Sequence, residues 1–158
     1  MKLDKFSQYD MVGQAKALPI ILDLFKNFKI EYTQHYMDKG RTDIRLTAHT
    51  QTDIVTYVIE CKDRTYTNEW LLKNGAMLEI NKYNSMKSML TDYDRCIYFN
   101  TTADGYIVFD LTTQTPEDFG EENRERGKTT VINTGKTNKP YYTLFKNNAV
   151  KIGSYNDR

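Results

Sequence analysis

The sequence is short of sulfur. Two cysteines, Cys61 and Cys96, in 158 residues supply neither a disulfide framework nor a metal-ligand cluster, and a reducing cytosol is the expected compartment. Each reads as a small apolar filler in a strand. Histidine is as scarce: His35 and His49 lie on separate segments without metal-ligand spacing. No apolar run approaches the length of a membrane span. The opening residues carry Lys2, Asp4 and Lys5 and no short apolar stretch ending in small residues, so no signal peptide is expected. No Ser-His-Asp or Cys-His arrangement stands out. Two Gly-Lys-Thr triplets, at 127–129 and 135–137, lack the earlier glycine of a P-loop, because Glu122 and Thr130 occupy its place.

A strong overall charge is also missing. The net charge is +1, which excludes a bulk polycation. The balance is uneven, however. From residue 123 onward eight Lys/Arg face two acids. A basic end suits a local polyanion contact or a solubilising tail. What the chain does have is 39% hydrophobic and 27% charged residues, enough for one globular domain over 1–158.

Residues 3–28 read as helical, with Leu18, Ile21, Leu22, Phe25 and Phe28 as the buried stripe. Pro19 predicts either a break or a kink. Residues 30–36, 42–48 and 54–62 alternate like strands, joined by turn signals at 38–40 and 49–53, and form an antiparallel meander. His49 falls in the second turn, exposed. Residues 69–90 read as one amphipathic helix with Gly75 as a weak spot. Residues 95–101 and 106–111 read as buried strands. Residues 112–128 read as a loop or a short helix from Pro116. The tail has strand-like pieces at 129–133, 141–145 and 149–152. A helix between the third and fourth strands makes that pair parallel. The expected fold is α/β, a mixed sheet flanked by helices, with a core over about 3–111 and a β-rich basic extension over about 112–158.

The third strand ends in Glu60-Cys61-Lys62, an odd place for charge. If the hairpin turns between Gln51 and Thr52, facing residues have numbers that sum to 103, and Asp43 faces Glu60. Their Cβ atoms would then be roughly 4.5–5.5 Å apart. Lys62 shares the face of Glu60 because strand side chains alternate. Two facing carboxylates repel, so a cation must offset them, either Lys62 or a bound divalent metal. Mg²⁺ (or Mn²⁺) accepts one or two carboxylates and fills its other positions with water and phosphate oxygens. The Cys61 carbonyl, between the two side chains, is a further oxygen ligand. Lys62 would orient the attacking water and stabilise charge on the phosphate.

Asp43 followed by Glu60-Cys61-Lys62, on adjacent strands after one helix and before another, resembles the active-site motif of the PD-(D/E)XK nuclease superfamily. That superfamily includes restriction endonucleases, Holliday-junction resolvases and repair exonucleases. The resemblance implies a restriction-endonuclease-like αβββαβ core. It implies Asp43 and Glu60 as metal ligands and Lys62 as the catalytic lysine of an enzyme that hydrolyses nucleic acid, DNA foremost. An inactive domain of the same fold that binds nucleic acid or protein is the alternative. Thr42 stands where the family often has proline, and the first helix has no glutamate for the metal site. Gln14, Asp10 or Asp23 can stand in, with Gln14 preferred. Lys82 resembles the polar helix residue that the family aims at its site, or is a solvated helix position. Arg45, Arg64 and Lys73 are candidate phosphate contacts. Lys136, Lys139 and Tyr141 interleave bases with aromatics, which suits nucleic acid or an edge hairpin guarded by lysines. Similar nucleases often dimerise, so a homodimer is among the expected states. The compact size suits a phage or mobile element.

Overall fold

The first helix has a buried face that repeats every three or four residues. In the computed structural model, which describes residues 5–35, 42–127 and 136–157, this helix is α1, Lys5–Leu24. Among its described positions Gly13, Gln14, Ala17, Ile20 and Ile21 are buried, and Phe28 is exposed. Of the expected stripe Ile21 is buried and Leu18 and Phe25 pack partly buried against the same core, while Phe28 falls beyond the end of the helix at Leu24. Pro19 sits exposed inside α1 without ending it.

Strands β1 (Lys29–Gln34), β2 (Ile44–His49) and β3 (Ile54–Asp63) form the antiparallel meander. Its turn at 38–40 lies outside the described residues, as does the strand-like piece at 129–133. β5 (Arg95–Thr101) runs parallel to β3, and β6 (Gly105–Asp110) returns antiparallel to β5. β9 (Lys151–Ser154) adds to the edge of β6. The mixed sheet thus has six strands in the order β1-β2-β3-β5-β6-β9. Among the described residues no helix is long and apolar enough to cross a membrane.

Alternation sends side chains to two cores. On one face Ile44, Leu46, Ile59, Cys61, Ile97 and Phe99 pack under Ala17, Ile20 and Ile21 of α1. On the other, Val58, Cys96, Tyr98, Ile107 and Phe109 pack against Leu71, Leu78, Tyr83, Met86, Tyr142 and Leu144. Each large apolar side chain buried this way contributes about 1.5–3 kcal/mol.

The long helix expected at 69–90 is not one element. It is α2 (Asn68–Asn74), then β4 (Ala76–Glu79), then α3 (Ile80–Ser88). Gly75 breaks it with φ of 96°, a left-handed value that other residues rarely adopt. Ala76–Glu79 then pairs with β8 (Lys136–Leu144), which also pairs with β7 (Gly120–Gly127). Residues 120–127, expected as loop or helix, are therefore strand. The second sheet has the order β4-β8-β7. Through β8, which pairs with β4, and β9, which pairs with β6, the described part of the C-terminal extension is hydrogen-bonded to elements before residue 111.

Candidate active site

The β2–β3 register is the one expected. Ile44 pairs with Ile59, Arg45 with Val58 and Thr47 with Thr56. Asp43 lies one residue before this ladder, level with Glu60. His49 is the last residue of β2 and half-buried, where exposure in the turn was expected.

Asp43 is 8% exposed and held from two sides. Its Oδ2 accepts the backbone N–H of Cys61 at 2.8 Å. Its Oδ1 accepts Nε2 of Gln14 at 3.2 Å. Gln14 is fully buried and also donates to the His35 carbonyl at 2.9 Å. Gln34 Nε2 reaches its Oε1 at 3.4 Å. The His35 N–H donates to the Asp43 carbonyl at 2.8 Å. Gln14, preferred on α1 from sequence, thus fixes a carboxylate from the α1 side of the sheet. Asp23, the other described stand-in, is exposed, and the side chain of Asp10 lies outside the described residues.

Glu60 is approached from the opposite side. Lys82 of α3 pairs with its Oε1 at 3.1 Å, and the two side chains are 34% and 12% exposed. A lysine ammonium here offsets part of the charge of a mostly buried carboxylate. Cys61 points toward α1, and burial pushes its thiol well up, with the Asp43 and Glu60 charges adding to the shift. Its amide, rather than its sulfur, serves the site. Lys62 is exposed and level with Asn100 on β5.

A polar network unforeseen from sequence lies beyond Glu60. Arg64 donates from Nε to Asn100 Oδ1 at 2.9 Å and from Nη2 to the Tyr98 hydroxyl at 2.7 Å. It also donates to the Met77 carbonyl of β4. The Tyr98 hydroxyl donates to that carbonyl at 2.8 Å. Burial raises the Tyr98 phenol, Arg64 lowers it and Glu60 raises it again. In the sequence Tyr98 looks like any aromatic in a buried strand, so nothing there marks its hydroxyl. Asp63 accepts from Lys16 at 2.9 Å and from Thr101 at 2.8 Å.

The remaining candidates are scattered. Arg45 lies over the Tyr93 ring at 5.5 Å. Lys73 is exposed in the last turn of α2. Lys139 pairs with Glu79 at 3.0 Å, and Tyr141 is level with Glu79 and Glu122. Lys136 begins β8, and its side chain lies outside the described residues. The structure therefore joins Gln14 and the Cys61 amide to Asp43, and Lys82 to Glu60, with Glu60, Cys61 and Lys62 consecutive on β3. Arg64 adjoins them through Tyr98.

Among the described residues no three His, Cys, Asp or Glu side chains gather as a metal site. Two carboxylates and a backbone carbonyl nevertheless suit Mg²⁺, a hard cation that keeps several waters and binds substrate phosphate. Such a donor set does not suit zinc in a structural site, which takes four protein ligands. Compared with known proteins, the chain matches no family model and no curated protein.

Proposed function

We propose that the chain is a divalent-metal-dependent nuclease of the PD-(D/E)XK type, acting on phosphodiester bonds in DNA. The observation that carries this reading is the bond from the Cys61 amide to Asp43. It ties the acid of one strand to the centre of the Glu60-Cys61-Lys62 triplet on the next. Asp43 and Glu60 would hold Mg²⁺ or Mn²⁺. When bound, the ion polarises a phosphoryl oxygen and makes water more acidic.

The protein's own groups do the rest. The Cys61 amide and Gln14 orient the Asp43 carboxylate and keep it from rotating. Lys82 neutralises part of the charge on Glu60. Lys62 orients the attacking water, takes part in its deprotonation, and stabilises the charge that develops on the phosphate.

The Lys82–Glu60 pair also favours a second reading, a domain of the same architecture that binds nucleic acid without cutting it, since a cation already accompanies one acid. The test is cleavage of linear, branched and single-stranded DNA with Mg²⁺ by wild type, Asp43→Ala and Lys62→Ala. The proposal expects cleavage by wild type alone. Cleavage unchanged in both variants would sink it. Binding without cleavage by wild type supports the second reading.

A further inference from the structure

Two large aromatic rings stack in the open. Tyr66 and Trp70 have centroids 3.8 Å apart and planes 12° apart, yet they are 49% and 43% exposed. Helix capping does not account for the pair. Thr67 caps α2, its side chain accepting the Trp70 N–H at 3.2 Å. A hydrophobic staple would join Tyr66 to the residue four past the cap, and that residue is Leu71, which is buried.

The pair is held firmly at one end of the six-stranded sheet. The Arg64 N–H donates to the Thr101 carbonyl at 2.8 Å, and the Ala103 N–H to the Tyr66 carbonyl at 2.9 Å. The Asn68 N–H donates to Asp104 Oδ1 at 2.9 Å, and Thr102 Oγ1 to Asn68 Oδ1 at 2.6 Å. These bonds lace the pair's segment to the β5–β6 turn, just past Lys62 and Asn100. Tyr66 follows Lys62 by four residues, at most about 14 Å of chain. Lys73 is exposed and stands three residues past Trp70 on α2, a spacing that makes neighbours on a helix surface.

We propose that Tyr66 and Trp70 form a stacking platform for an unpaired nucleobase, with Lys73 beside it for the phosphate. This rests on the nuclease reading for its choice of nucleic acid, and it narrows the substrate to single-stranded, frayed or branched DNA. A base laid on the outer ring extends a stack that already exists. Every base has such a face, so the platform is indifferent to sequence. Bases paired inside a duplex are not available to it.

Trp70 is the chain's one tryptophan, so intrinsic fluorescence reports the platform directly. Wild-type protein is titrated in EDTA with a thymidine oligonucleotide and with a blunt duplex. The expected result is saturable quenching by the oligonucleotide and little by the duplex. Anisotropy of a labelled oligonucleotide should show binding weakened roughly fivefold to a hundredfold in Trp70→Ala and Tyr66→Ala, with Trp70→Phe retaining most of it. Binding without quenching, no binding, or alanine variants that bind like wild type overturns the platform. Because the readout is metal-free, it separates the two readings. Quenching without any Mg²⁺-dependent cleavage keeps the platform and removes the nuclease. Cleavage that depends on Lys62, without quenching, does the reverse.

Discussion

Replacing Gln14 with leucine removes one anchor of Asp43 at nearly constant volume. The side chain is fully buried, so water cannot take over its bonds without rearrangement. The bond to the Asp43 carboxylate at 3.2 Å is charge-assisted, and such bonds contribute about 1.5–3 kcal/mol. The bond to the His35 carbonyl at 2.9 Å contributes about 1 kcal/mol. The contact from Gln34 is long, at 3.4 Å, and adds little. Leucine regains about 1 kcal/mol through its apolar surface. The net loss is about 1.5–3 kcal/mol. In a domain of this length each kcal/mol moves the melting temperature by about 2–4 °C, so the fall should be about 3–12 °C. Calorimetry at pH 7 without divalent ions measures it. A variant melting within about 1 °C of wild type would refute the claim that Gln14 holds Asp43.

Other expectations follow from single features. Lys82→Met leaves Glu60 without its ion pair, at a cost of about 1–2 kcal/mol because the pair is only partly buried. Added Mg²⁺ should raise the variant's melting temperature more than that of wild type, and an equal response in both would speak against a shared carboxylate. Gly75→Ala forces a Cβ into a left-handed position 3.1 Å from Thr143 Cβ and 3.3 Å from the Phe145 ring. It should cost about 2–3 kcal/mol in urea denaturation, and an unchanged midpoint would contradict the break in the helix. Burial holds the Cys96 thiol up to about 11 from an ordinary value of 9.0, and Cys61 is also pushed well up. The unfolded chain therefore loses these protons first, and stability present below pH 9 should decline as pH rises toward 11. Cys96→Ala should flatten that decline in urea melts across the range, and an identical profile would count against the buried thiol.

The hairpin carrying the site was legible because two independent signals agree. The polar turn at 49–53, centred between Gln51 and Thr52, sets the register, and the alternation of Ile44 and Leu46 with Arg45 and Thr47 sets the face. A slip of one residue would have turned Ile44 and Leu46 to the wrong side. Gln14 was legible only as an isolated amide between Gly13 and Ala15. Its burial depends on the carbonyl of His35 and the carboxylate of Asp43, which the chain brings in from other strands. Gly75 was legible as a weak spot but not as a break, because Leu71, Leu72 and Leu78 keep a helical spacing on both sides of it. Only the later arrival of β8 makes a strand of Ala76–Glu79. β7 was hidden for a similar reason. Its residues, Gly-Glu-Glu-Asn-Arg-Glu-Arg-Gly, have no apolar alternation, and it pairs at the edge of a small sheet where none is required.

The pairing of β4 with β8 also sets an order in time. Ala76 is level with Leu144, and Glu79 with Tyr141, so the strand that leads into α3 waits for a partner made more than 60 residues later. Contacts this distant in sequence slow folding, because the loop between them must close first. During synthesis the two acids and Lys62 leave the ribosome well before the strand that steadies Lys82. At typical rates of about 5–20 residues per second, the gap lasts several seconds. A nascent chain would therefore carry the acids long before the completed site.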